Sequence, residues 1–144
     1  MAMAGSGGGA VRLTGNHRVV EPSERTRLAA RGVEFRGGET RLFGLSLSRA
    51  LGDWVLKSEE ASGLSAEPSV SEAVQVPPGS GVVVIASDGL WDVCTPREAV
   101  EIAARVHSNE NSKGADDIAC ALLRHAQAQR SGDDVTVLVL MPSQ

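Results

Sequence analysis

Apolar runs separated by short polar breaks organise this chain, and the period of each run predicts an element. Gly81 to Ser87, "GVVVIAS", is apolar without interruption and of strand length, which predicts a strand buried on both faces. Val135 to Met141, "VTVLVLM", is rich in β-branched residues and nearly all apolar, which predicts a central strand. Between them, Thr95-Pro96-Arg97-Glu98 forms a helix start: Thr95 caps, Pro96 fits the first helical position and Glu98 completes a capping box. That helix is expected to run to about His107. A second is expected over about Ala115 to Arg130, with Ile118, Leu122 and Ala126 on one face and Ser131-Gly132 at its end.

The N-terminal half has weaker patterns. "EPSERTRLAARG" reads as a short helix that Gly32 ends. "VEFRGGETRLFG" reads as a hairpin, with Val33 and Phe35 alternating against polar neighbours and Gly37-Gly38 at the turn. "GLSLSRALGD" opens with the alternation of Leu45 and Leu47, and "SAEPSVSEAVQV" predicts another short strand before the "PPGSG" turn. Residues 1–10 contain "AGSGGGA", a composition that predicts a disordered glycine-rich arm ahead of one domain over 11–144.

Composition narrows the function. The 144 residues are 42% hydrophobic and 22% charged, as in an ordinary soluble domain. A formal net charge of -4 argues against a dedicated nucleic-acid binder. No apolar run approaches the ~20 residues of a membrane span, and the N-terminus lacks the basic and apolar regions of a secretory signal. An intracellular protein, cytoplasmic or nuclear, is the expectation. Cys94 and Cys120 are expected to be reduced, buried small hydrophobes, and with no CxxC a zinc site is not expected. His17, His107 and His125 are scattered and read as surface residues.

The candidate chemistry lies in two carboxylates. Asp88 follows the end of one strong strand, and Asp133 precedes the start of another. Parallel neighbours would hold these acids roughly 20 Å apart, at ~3.3 Å per residue. Antiparallel neighbours would bring both to one edge of the sheet. Two ionised carboxylates that close need a cation or a shared proton. Oxygen donors without histidine or cysteine nearby favour magnesium, manganese or calcium over zinc. Asp88-Gly89 and Asp133-Asp134 equally fit ordinary turns at strand ends, and Asp92 and Asp134 read as turn or capping residues.

Four segments occur in an order that carries more information: "LSLSRALGD" (45–53), "SAEPSV" (65–70), "VVVIASDGLWDV" (82–93) and "SGDDVTVLVL" (131–140). Together they resemble the metal-dependent serine/threonine protein phosphatases of type 2C, particularly plant members. "LTGNHR...ERTRLAARG" is similar to a further family segment, with Asn16 where an acid is usual. The resemblance implies an α+β fold: part of an α-β-β-α sandwich of antiparallel sheets flanked by helices. It also implies that Asp88 and Asp133 are ligands to Mg²⁺ or Mn²⁺, in a weak or incomplete site. Arg49 and Asp53, in "SRALGD", are assigned to local structure as an ion-paired turn.

The family's "ED...DGHGG" motifs, which by the resemblance complete the two-metal site, and its "GDSR" motif are not found in the sequence. The chain therefore looks like the C-terminal half of the family domain, truncated and inactive by itself toward phosphoserine and phosphothreonine proteins. The alternative is a pseudophosphatase, a non-catalytic regulatory module that engages a kinase or a phosphoprotein. A haloacid-dehalogenase-like reading fails, because Asp88 is followed by Gly89-Leu90 and no D-x-D follows the strand.

Overall fold

Ala86 ends a strand and Val137 begins one, and the two residues face each other across an antiparallel ladder. A computed structural model describes residues 2–6, 9–58, 62–109 and 114–142 of the chain. In chain order the elements are β1 (Ala2–Ser6), β2 (Gly9–Arg12), α1 (Pro22–Ala30), α2 (Trp54–Ser58), β3 (Val82–Ala86), α3 (Asp88–Trp91), α4 (Pro96–His107), α5 (Ala115–Ala128) and β4 (Val137–Leu140). The fold class is α+β: helices with a small antiparallel sheet. The chain divides into two compact units, residues 1–15 with 71–144, and residues 16–70.

The first unit holds the sheet, in the order β2-β1-β3-β4 with every neighbouring pair antiparallel. Val82, Val84 and Ala86 turn one face of β3 toward the helices, and Val139 does the same on β4. Helix α5 supplies Ile118, Leu122 and Ala126 to this core, the three residues that recur at helical spacing in the sequence. Helix α4 supplies Val100 and Ala103. Its N-terminus has the expected capping box. Thr95 Oγ1 accepts from the Glu98 N–H at 3.3 Å, while the Glu98 carboxylate accepts from the Thr95 N–H at 2.8 Å.

Three expectations change in this unit. β3 is not buried on both faces, since Ile85 is 41% exposed. β4 is an edge strand and not a central one, with Leu138 52% and Leu140 49% exposed. An apolar run on both faces of a strand predicts burial on both, but α4 and α5 cover one. The expected disordered arm contains a hairpin instead: β1 pairs with β2 and, in register Gly5↔Val82 to Ala2↔Ile85, with β3. Backbone hydrogen bonds to an open sheet edge need no side chains, so glycine-rich sequence can still form a ladder. Residues 1, 7 and 8 of that arm lie outside the described residues.

The second unit is irregular. Pro22 starts α1, and Gly32, at φ 82°, leads the chain away from its end. Val19, Leu28, Val33, Leu42 and Leu64 form its core. The expected hairpin over 33–43 keeps only its turn, where Glu39 N–H donates to Arg36 O at 3.1 Å. Its flanks bond elsewhere, Val33 N–H to Leu28 O and Leu42 to Leu45, so no strands form there. The expected strand near "SAEPSV" reduces to one bridge, Arg49↔Ser65.

Candidate functional site

Asp88 opens α3 one residue after Ser87, where β3 has ended, and Asp133 lies in the loop between α5 and β4. Because β3 and β4 run antiparallel, both acids stand at the same end of the strand pair, and both are exposed. Four hydrogen bonds fix the two acid-bearing segments to each other, and a fifth holds the Asp133 loop. Ser87 N–H donates to Thr136 O at 3.0 Å, extending the ladder past its last paired strand residues. Ser87 Oγ donates to Asp134 O at 3.1 Å and accepts from Thr136 N–H at 3.0 Å. From the other side, Ser131 Oγ donates to Gly89 O at 2.7 Å and accepts from Asp133 N–H at 3.4 Å.

Gly89 explains how the segments come so close. A Cβ at this position would lie 2.4 Å from Asp134 O and 3.0 Å from the Asp134 carbonyl carbon. The backbone of the Asp133-Asp134 loop thus occupies the space a side chain would need. The glycine of the "SDG" stretch is required by the loop carrying the second acid. Asp133 Oδ1 accepts the Asp134 N–H at 2.7 Å, which sets its orientation and leaves its second oxygen outside this bond. A cavity of about 210 Å³ lies beside it, lined by Leu123, Gln127, Ser131, Asp133, Asp134 and Val135. Asp92 ends α3, its N–H donating to Asp88 O at 2.9 Å, in the capping role expected of it.

Among the described residues lining this edge the donors are carboxylate, hydroxyl and amide oxygens without a thiol or imidazole, a set that suits a hard cation better than a soft one. The donor number is small. Among the described residues no group of three or more His, Cys, Asp or Glu stands ready to hold an ion. Two carboxylates fit part of a shell of about six oxygens.

The second unit has its own polar centre, at Glu24, whose side chain is buried. One carboxylate oxygen accepts from Arg49 Nη2 at 2.7 Å and Nε at 3.0 Å; the other accepts from Ser48 Oγ at 2.6 Å and Arg27 Nε at 2.8 Å. Burial by itself raises the carboxyl pKa, but the bonds from Arg49, Ser48 and Arg27 outweigh it and hold it at about 2 against an ordinary 4.5. Arg49 also donates to Glu67 O, and Arg27 to Gly63 O and Ser48 O, so one acid ties four chain segments together. The ion pair of "SRALGD" is therefore with Glu24, far away in sequence. His17 is not a plain surface residue: Nδ1 lies 3.3 Å from Glu24 Oε1 and Nε2 lies 2.9 Å from Ser69 Oγ. This resembles a Ser-His-acid relay in outline, but two guanidinium groups already neutralise the acid. The carboxylate oxygens are already taken up by Arg49, Ser48 and Arg27, and the arrangement is structural.

Two further expectations are settled by burial. Cys94 is buried, as expected, and its thiol is pushed up to about 11 by desolvation and then by the charge of Glu98. Cys120 is exposed, contrary to expectation, because it lies two residues after Ile118 and hence about 200° around the helix from the core face. Among the described residues no helix is long and apolar enough to cross a membrane.

Comparison with known proteins gives these features a context. A family model described as Protein phosphatase 2C matches residues 1–135. Protein phosphatase 2C 70 of Arabidopsis thaliana is 42% identical over 138 residues, covering 93% of this chain and 24% of that protein. Probable protein phosphatase 2C 45 of Oryza sativa subsp. japonica is 33% identical over 136 residues, covering 93% of this chain and 44% of that protein. Among solved structures, serine-threonine phosphatase 2C from Toxoplasma gondii superposes with a TM-score of 0.65 at 29% identity, over 96% of this chain and 50% of that one. A C. elegans sex determining protein shares the fold, with a TM-score of 0.74 at 24% identity over 96% of this chain and 33% of that one. The chain spans at most half the length of each of these four.

Proposed function

Given that this chain belongs to the protein phosphatase 2C family, we propose that it carries part of a Mg²⁺- or Mn²⁺-dependent site for dephosphorylating phosphoserine and phosphothreonine proteins, with Asp88 and Asp133 as ligands. One observation carries the reading. β3 and β4 pair antiparallel, and Gly89 lets the Asp134 backbone close against the start of α3, so two acids distant in sequence share one edge. A hard divalent cation held there supplies charge neutralisation to phosphoryl oxygens. The chain's own contribution is positional. Ser87 and Ser131 lock the two loops through hydroxyl bonds to the opposite backbone, so the backbone that carries each acid is already in place when an ion arrives.

By itself the 144-residue chain is proposed not to turn over substrate. Two carboxylates leave most of the shell of such an ion to water, which makes for weak binding, and they do not fix two ions side by side. Positioning of this kind is worth as much as about 7–11 kcal/mol of barrier in favourable cases, and an incomplete shell forfeits most of it. The small donor set also favours a second reading, a non-catalytic module that engages a kinase or phosphoprotein. Phosphate release from phosphoserine peptides by the purified chain with Mn²⁺, using Asp88→Asn as control, tests the proposal. Absence of release is expected. Turnover that Asp88→Asn abolishes would show that the chain completes a site without outside ligands.

A further inference from the structure

A groove of about 560 Å³ runs between α4 and α5, lined by Ile102, Arg105 and Val106 on one helix and Ala121, Arg124 and His125 on the other. It is separate from the acid edge, because on α5 the residues beside Asp133 are Leu123 and Gln127, which face a different side of the helix. Its rim carries two arginines, neither of which makes a salt bridge among the described residues, in contrast to Arg27, Arg49 and Arg97. His125 Nε2 is shielded from solvent and has no hydrogen-bond partner. Among the described residues a buried polar nitrogen without a partner is uncommon, and its location in a groove with two uncommitted guanidinium groups points to a polar group that arrives from outside.

We propose that this groove docks a phosphorylated side chain of a peptide segment. Arginine's planar fork matches phosphate oxygens in a two-point contact. The one acid in the lining is Asp117; Glu98, whose charge reaches His125 from α4, lies outside the lining and its carboxylate accepts from the Thr95 cap. Within the lining two cations face one acid, and the balance there favours an anion. Ile102, Val106 and Ala121 give the groove an apolar floor beside the arginines, which fits the aliphatic side chain of a neighbouring residue. The choice of a phosphopeptide over another organic anion rests on the phosphatase reading; the groove's affinity for a phosphate monoester does not.

Nuclear magnetic resonance titration of the full chain in the presence of a metal chelator tests this apart from the metal site. Three probes are used: a phosphoserine peptide flanked by leucines, its unphosphorylated counterpart and inorganic phosphate. The phosphopeptide should shift the side-chain signals of Arg105, Arg124 and His125, and the unphosphorylated peptide should not. Replacing both arginines, Arg105→Ser with Arg124→Ser, should weaken binding by about tenfold or more, as expected for lost charge-assisted contacts. Both side chains belong to exposed residues, so an unchanged melting temperature verifies the fold of the variant. The proposal is overturned if the phosphopeptide does not bind, if the double variant binds it equally, or if the shifts cluster at Asp88 and Asp133. It is also overturned if inorganic phosphate binds as tightly as the phosphopeptide, since the apolar floor would then contribute nothing. None of these outcomes depends on catalysis, so failure here leaves the Mn²⁺-dependent phosphatase reading to its own assay.

Discussion

Replacing Gly89 by alanine places a methyl group 2.4 Å from Asp134 O and 3.2 Å from Val135 Cγ2. An ordinary carbon–oxygen contact is roughly an ångström longer than the first of these, and the obstructing atom is backbone, not the end of a flexible side chain. Relief by movement is restricted, because Asp134 O also accepts from Ser87 Oγ and the next residues pair with β3. Overpacking of this kind costs about 1–3 kcal/mol, and a rigid obstacle puts the value near the top of that range. Alanine's better helical propensity in α3 returns at most about 1 kcal/mol. The net expectation is about 2 kcal/mol of destabilisation, or roughly 6–10 °C in Tm for a chain of this size. The control is Gly132→Ala in the same loop region, where an added Cβ meets nothing within 4 Å. Differential scanning calorimetry on both variants measures the difference, and amide shifts at 133–135 report which loop moves. A Gly89→Ala protein that melts with the wild type, with unshifted amides at those positions, would refute the argument that this glycine seats the second acid-bearing loop.

Two further outcomes follow from the charged and thiol groups. The Glu24 carboxyl is depressed on folding from 4.5 to about 2, so its stabilising contribution is fully present above pH 4.5 and is lost as pH falls toward 2. That loss is about 2 kcal/mol after discounting for the solvent that reaches Arg27 and Arg49; because pH 3 still lies above the folded pKa, urea unfolding at pH 6 and pH 3 should show a little over half of it, about 1 kcal/mol, for wild type and not for Glu24→Gln. Alkylation with iodoacetamide at neutral pH, read by mass spectrometry, should modify the exposed Cys120 and spare Cys94, which is buried and has a pKa of about 11. Equal labelling of both would mean that the packing around Cys94 is wrongly described.

What the sequence carried was local or strongly periodic. Thr95 and Glu98 announce the start of α4 because a capping box is made within four residues. Ile118, Leu122 and Ala126 announce the buried face of α5, and the same period places Cys120 on the other side, a signal the residue-type argument overrode. Asp88 and Asp133 were legible as a pair only on the condition that β3 and β4 are antiparallel, a condition the ladder satisfies. The β1–β2 hairpin was not legible, since its pairing comes from the β3 edge and not from its own side chains. Nor was the Glu24 centre, whose partners Ser48 and Arg49 lie 24 and 25 residues away. A buried acid is satisfied by tertiary contacts that no local pattern records. Gly89 had a reason visible only in space: its neighbour across the gap is the backbone of Asp134.

The central claim, that Asp88 and Asp133 form one cation-binding edge, is tested most directly by adding Mn²⁺ to the isotopically labelled chain and following paramagnetic broadening. Broadening should appear together at 87–90 and 131–135 at low affinity, and either Asp88→Asn or Asp133→Asn should weaken it at both segments. Broadening centred elsewhere, or tight binding that neither substitution alters, would contradict the claim.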